Sequence, residues 1–104
     1  MDLEKAMDLI WENRKYQTTD PKEAVSHLNE EVAESLKALL RNEIDKAKRE
    51  LEDALSCMFI ALRVLGIKPE EAVMRQVAQM KQRHEKKMIF KKDKVVIYVN
   101  GVEK

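Results

Sequence analysis

Glycine, proline and aromatic side chains are nearly missing from this chain of 104 residues, which has two Gly, two Pro and 5% aromatics. So few turn formers exclude a turn-rich sheet protein. A single cysteine, Cys57, excludes an internal disulfide framework and a zinc cluster built of cysteines. Cys57 lies in an apolar run and reads as an inert core thiol, as suits a reducing cytosol. Charge of one sign is lacking too. The formal net charge is +1, so nucleic-acid binding by bulk electrostatics is not expected. The longest apolar stretch, Ala54 to Leu65, spans 12 residues and includes Arg63, too little to cross a bilayer. Met1 is followed by the acidic Asp2 and Glu4, so no signal peptide and a cytoplasmic location are expected.

What the chain does have is helix-forming sequence, with 38% charged residues. The length allows one domain, and a lone monomer of this size buries only a limited core. A first helix is expected from Asp2 to Tyr16, with Leu3, Ala6, Met7, Ile10 and Trp11 at helical spacing. Gln17-Thr18-Thr19 interrupts it. Asp20 then predicts an N-cap, Pro21 a first helical position, and Glu23 the far arm of a capping box. The second helix runs to Arg41, and Asn42 predicts the cap of a third that stops at Gly66, suited to a left-handed C-terminal cap. Pro69, Glu70 and Glu71 open a fourth helix, carrying Val73, Val77, Met80 and His84 on one face. After Lys87 the period shortens, and Met88 to Phe90 and Val95 to Val99 predict two short strands around a turn. Only three residues follow Asn100-Gly101, too few to predict a return strand. The expectation is an all-α, antiparallel bundle of about four helices over residues 1–87, with a short β-hairpin-like tail over 88–104.

The chemistry is concentrated in two acidic pairs, Glu31-x-x-Glu34 and Glu50-x-x-Asp53, separated by 15 residues. Spacing of i, i+3 places both carboxylates of a pair on one helix face. A short connection around Arg41-Asn42 makes the second and third helices an antiparallel hairpin. Glu34 precedes Arg41 by 7 residues and Glu50 follows Asn42 by 8; for Glu31 and Asp53 the counts are 10 and 11. Partners in each such couple therefore differ in height by about one residue, or ~1.5 Å. Cys57, Ile60 and Val64 continue the Glu50/Asp53 face, while Leu51, Leu55, Met58 and Leu62 predict the main core stripe. On the second helix, Glu31 borders a stripe of Ala24, Leu28, Val32 and Leu39. Carboxylates this close repel by ~4 kcal/mol per pair at 4 Å in a partly screened medium, so protonation or a cation must relieve them. Oxygen-only ligands suit a hard divalent cation, Mg²⁺ or Mn²⁺. Ordinary solvated helix acids are the bland alternative, since the chain has 19 Asp and Glu.

His27-Leu28-Asn29-Glu30-Glu31-Val32-Ala33-Glu34-Ser35-Leu36 resembles the first motif of the MazG-like, all-α nucleoside triphosphate pyrophosphohydrolases. Glu50-Leu51-Glu52-Asp53-Ala54-Leu55, followed by Ala61-Leu62-x-x-Leu65-Gly66-Ile67-x-Pro69-Glu70-Glu71-Ala72, is similar to the second motif and its sequel. The resemblance implies a Mg²⁺-dependent enzyme that cleaves a nucleoside triphosphate to a monophosphate and pyrophosphate. It implies metal ligation by Glu31, Glu34, Glu50 and Asp53, with Glu30 or Glu34 taking the proton of an attacking water. It also implies a core completed by dimerisation, as a homodimer or a dimer of dimers. One departure stands out: family members often carry Asn, then Lys and Arg, late in the fourth helix. Here that region reads Val77-Ala78-Gln79-Met80-Lys81-Gln82-Arg83-His84, with Lys81 and Arg83 as phosphate contacts and no Asn. The missing Asn favours a rival reading, a non-catalytic helical protein that binds nucleotide or only itself.

Trp11 is a candidate for stacking on a base, against the commoner role of a core indole. His27, one turn before Glu31, is a candidate for a ligand or phosphate hydrogen bond, against a structural histidine. The five lysines from Lys86 to Lys94 suit a solvated strand edge better than a nucleic-acid contact. Neither histidine forms an E-x-x-H pair, so a ferritin-like di-iron bundle is not expected.

Overall fold

The computed structural model describes residues 1–86, 88–91, 94–99 and 102–103, with side chains described as far as residue 83. Four α-helices make up the fold: α1 (Leu3–Asn13), α2 (Pro21–Leu40), α3 (Ile44–Val64) and α4 (Pro69–Lys86). The chain divides into two compact units, Met1–Glu70 and Glu71–Lys104.

In the first unit, helix ends follow local chemistry closely. Asp2 caps α1 by accepting from the Lys5 N–H at 2.7 Å. The helix ends at Asn13, three residues before the Tyr16 end expected, because its last carbonyls are taken by side chains. The Asn13 amide donates to the Leu9 carbonyl at 2.8 Å, and Arg14 Nη1 donates to the Trp11 carbonyl at 2.6 Å. Arg14 itself is extended, so Arg14, Lys15 and Tyr16 leave the helix. Asp20 caps α2 by accepting from the Lys22 N–H, with Pro21 at the first helical position as expected. The predicted capping box does not close, however. Glu23 accepts from the Thr18 hydroxyl at 2.7 Å, and that hydroxyl accepts from the Asp20 N–H at 3.2 Å. Thr18 is thus inserted between the two arms of the box.

Helices α2 and α3 end in the same way. Gly66 has φ +73°, the Ile67 N–H donates to the Leu62 carbonyl, and the Gly66 N–H to that of Arg63. After α2, Asn42 takes the left-handed place at φ 59°. There the Glu43 N–H donates to the Ala38 carbonyl and the Asn42 N–H to that of Leu39. Both are Schellman closures. Asn42 therefore ends α2 instead of starting α3, whose N-cap is Glu43, without a side-chain bond.

The α2–α3 hairpin is the chief packing of this unit. Its buried residues are Ala24, Ser35 and Ala38 on α2 and Ala47, Ala54 and Ala61 on α3. The seam on α2 runs Ala24, Leu28, Glu31, Ser35, Ala38, and that on α3 runs Ala47, Glu50, Ala54, Cys57, Ala61, Val64. Both alternate by four and three, the repeat of two helices lying nearly antiparallel along one another. The leucine stripe expected as the main core is displaced outward. Leu51, Leu55 and Met58 are exposed, as are Val32 and Leu39 on α2. The reason is rotational: the alanine row lies about a fifth of a turn from the leucine row, and small residues let the backbones approach. Helix α1 packs on α3 through its buried Met7. Arg63 Nη1 ties the two by donating to Asp8 Oδ1 at 2.7 Å.

The second unit holds most of α4 and three short strands: β1 (Met88–Lys91), β2 (Lys94–Val99) and β3 (Val102–Glu103). They pair antiparallel in the order β1-β2-β3, with Met88 opposite Ile97 and Val99 opposite Val102. Among the described residues no helix is long and apolar enough to cross a membrane.

Candidate metal centre and adjoining groove

Glu31 and Glu50 occupy seam positions facing each other across the hairpin, and Asp53 stands one turn along α3 from Glu50. One carboxylate oxygen from each of the three lies within 4.8 Å of the other two. Glu31 and Glu50 are half-buried and Asp53 is exposed. The Glu31 carboxyl is raised above its ordinary value, chiefly by a hydrogen bond with the Glu50 side chain. Partial burial adds to this, as does repulsion from Glu50, Asp53 and Glu30. Two carboxyl groups can share a hydrogen bond only if one of them holds a proton. A proton or a cation would relieve the negative charge gathered in one place.

Three hard oxygen donors, one per side chain, match what Mg²⁺ or Mn²⁺ takes from a protein, a few carboxylates with the remaining positions left to water or phosphate. In chemical type and number the residues fit.

Glu34 is not brought into this trio. It lies off the seam row, beside Ser35, and its carboxylate is paired with Lys37 Nζ at 3.3 Å. Equal height above the turn, the basis for matching it with Glu50, does not fix the direction in which a side chain leaves its helix. Glu30 is exposed and sits 3.7 Å from His27 Nδ1. It is nevertheless close enough to repel the charges of both Glu31 and Cys57. His27 is stacked on Tyr16, with centroids 4.6 Å apart and planes 12° from parallel. Trp11 is half-buried with the Arg14 guanidinium 3.6 Å over its ring and that of Arg63 at 5.2 Å, so its π surface is already engaged by cations. Lys81 and Arg83 are exposed on α4, in the second unit.

Beside the trio lies a groove of about 400 Å³ that reaches Asp53. Leu9, Ile10 and Ile60 form its apolar wall. Asn13, Arg14, Lys15, Tyr16 and Ser56 supply polar groups. Cys57, one turn beyond Asp53, also lines it. The thiol is thus half-buried at a groove and not in the core, as its apolar neighbours implied. Its pKa is raised, first by burial and then by Glu31, Asp53 and Glu30, which keeps it protonated. The segment 13–16 escaped the sequence argument because a helix was expected to continue through it. Its signal was the basic pair Arg14-Lys15 followed by Tyr16, just where apolar periodicity stops. Cys57 carried a signal too, four residues after Asp53 and so on the same face.

A family model described as a MazG nucleotide pyrophosphohydrolase domain matches residues 19–88. No curated protein and no solved structure matches the chain.

Proposed function

The chain belongs to the MazG nucleotide pyrophosphohydrolase family, and from that premise we propose that it hydrolyses a nucleoside triphosphate to the monophosphate and pyrophosphate with Mg²⁺. The observation that carries this is the convergence of Glu31, Glu50 and Asp53 on one point at the end of a groove large enough for a nucleoside. These three side chains would hold the cation, and Glu34, now paired with Lys37, would be the fourth ligand. Mg²⁺, or Mn²⁺ in its place, would when bound neutralise phosphate charge and polarise the phosphorus toward attack. A neighbouring carboxylate, Glu30 or Glu34, receives the proton of the attacking water. The residues of the groove hold the nucleoside so that the bond between the α and β phosphates lies at the acids. Lys81 and Arg83 are phosphate contacts by the family resemblance alone, and His27 and Trp11 brace the groove through Tyr16 and Arg14.

In the same proposal a second copy of the chain covers the exposed apolar residues of α2 and α3, making a homodimer or a dimer of dimers. An apolar row of this extent is rarely left open in a monomer. Residues 1–87 form the catalytic domain, near whose end the family match stops, and 88–104 are a hairpin-like extension. The location is cytoplasmic, where nucleoside triphosphates are. Incubation with Mg²⁺ and a panel of nucleoside triphosphates, with pyrophosphate as the readout, tests the activity. Release from at least one nucleotide is expected, and no release from any overturns the proposal. The rival, a nucleotide-binding member without catalysis, is favoured by the lack of Asn in Val77 to His84; binding without release is its signature.

A further inference from the structure

We infer that the groove selects bases presenting carbonyl oxygens over bases presenting an amino group at the same position, and that Lys15 is the main determinant; this rests on the hydrolase activity proposed above. With Asp53 committed to the cation at one end, the charged groups left in the groove are Arg14 and Lys15. Both are donors only. Arg14 is held in place, its guanidinium 3.6 Å over Trp11 and its Nη1 bonded to the Trp11 carbonyl. Lys15 is free of ion pairs among the described residues, and its ammonium lies 5.7 Å from the Tyr16 ring centre. Asn13 has one amide hydrogen spent on Leu9.

The hydroxyls of Tyr16 and Ser56 and the amide of Asn13 can donate or accept and so do not discriminate. Apart from Asp53, no carboxylate lines the groove. A ring carbonyl entering beside Lys15 gains a charge-assisted hydrogen bond. An exocyclic amino group at the same place sets donor against donor and forgoes that bond. Uracil and cytosine differ by this exchange at one ring position, as do hypoxanthine and adenine. The expected preference is for the carbonyl member of each pair.

The test compares kcat/KM for UTP with CTP and for ITP with ATP in Mg²⁺, and the affinities of the non-hydrolysable α,β-imido analogues of UTP and CTP by calorimetry. The carbonyl substrates are expected to lead by about tenfold, the scale of one hydrogen bond to a partly exposed charge. Lys15→Met should bring the ratio close to one in both measurements, and Lys15→Arg, which keeps the donors, should preserve it. Lys15 is exposed, so neither substitution disturbs the core. Equal turnover of all four nucleotides, an amino-base preference, or an unchanged ratio in Lys15→Met overturns the selection while leaving the hydrolase intact. Absence of pyrophosphate from every nucleotide overturns both.

Discussion

Two rows of side chains run along α3 and have opposite fates. Ala47, Ala54 and Ala61 face α2 and are 2%, 6% and 4% exposed, while Leu51, Leu55 and Met58, about a fifth of a turn away, are 51%, 58% and 44% exposed. The larger hydrophobes would release more free energy per residue if buried, at ~25 cal/mol per Å², yet the small ones are inside. The spacing of the helices explains this. Axes packed through alanine approach to the lower end of the ~8–10 Å range, and leucines in the seam would hold them apart. Glu31 and Glu50 share that seam and must reach one another with short side chains. Close approach serves the carboxylates, and the leucines are left for a different surface.

This contrast can be broken at either row. The largest effect is expected from Glu50→Gln, which removes a charged oxygen from the centre of the trio. Turnover should fall about 1,000-fold, the equivalent of the several kcal/mol a metal contributes, while circular dichroism shows unchanged helicity. A fully active variant would detach the seam from the chemistry. On the outer row, Leu55→Asp should leave the hairpin folded but weaken self-association by at least about 30-fold, typical of a central interface residue, as read by sedimentation. An unchanged mass would mean that no second copy covers this face.

Filling the inner row is the reciprocal experiment. Ala54→Leu should destabilise the fold by about 1–3 kcal/mol through overpacking and lower metal affinity at the same time. Loss of stability without loss of metal binding would separate packing from ligand geometry.

The smallest expected effect is one of pH. Folding raises the Glu31 carboxyl, so the metal-free folded chain binds more protons than the unfolded chain in the interval above the ordinary carboxyl value. Stability from this group is therefore greatest on the acid side of that interval and falls as pH rises through the raised value. Mg²⁺ takes over from the proton and flattens the dependence. Thermal unfolding of the metal-free chain against Glu31→Gln, with and without Mg²⁺, measures it. The wild type should lose stability relative to the variant as pH rises, and a relative gain would show that Glu31 and Glu50 do not share a proton.

Much of this molecule was legible in the order of its residues. Asp20-Pro21 opens α2 and Gly66 closes α3, because capping depends on chemistry within a few positions of the backbone. The acidic pairs predict gathered carboxylates, three of which (Glu31, Glu50 and Asp53) the fold brings together, because i, i+3 spacing puts charge on one face whatever the helix packs against. Other features belong to the folded chain alone. Glu34 matches Glu50 in height yet turns to Lys37, since rotation about the helix axis is set by which row the partner helix accepts. The leucines of α3 look like core by hydropathy but lie outside, since the hairpin closes on alanine. Arg14, Lys15 and Tyr16 line the groove only because Asn13 and Arg14 bond backward to α1 and end it early. Local pattern specifies elements and ligand types, whereas the meeting of oxygens from separate helices depends on distance and azimuth, which only packing determines.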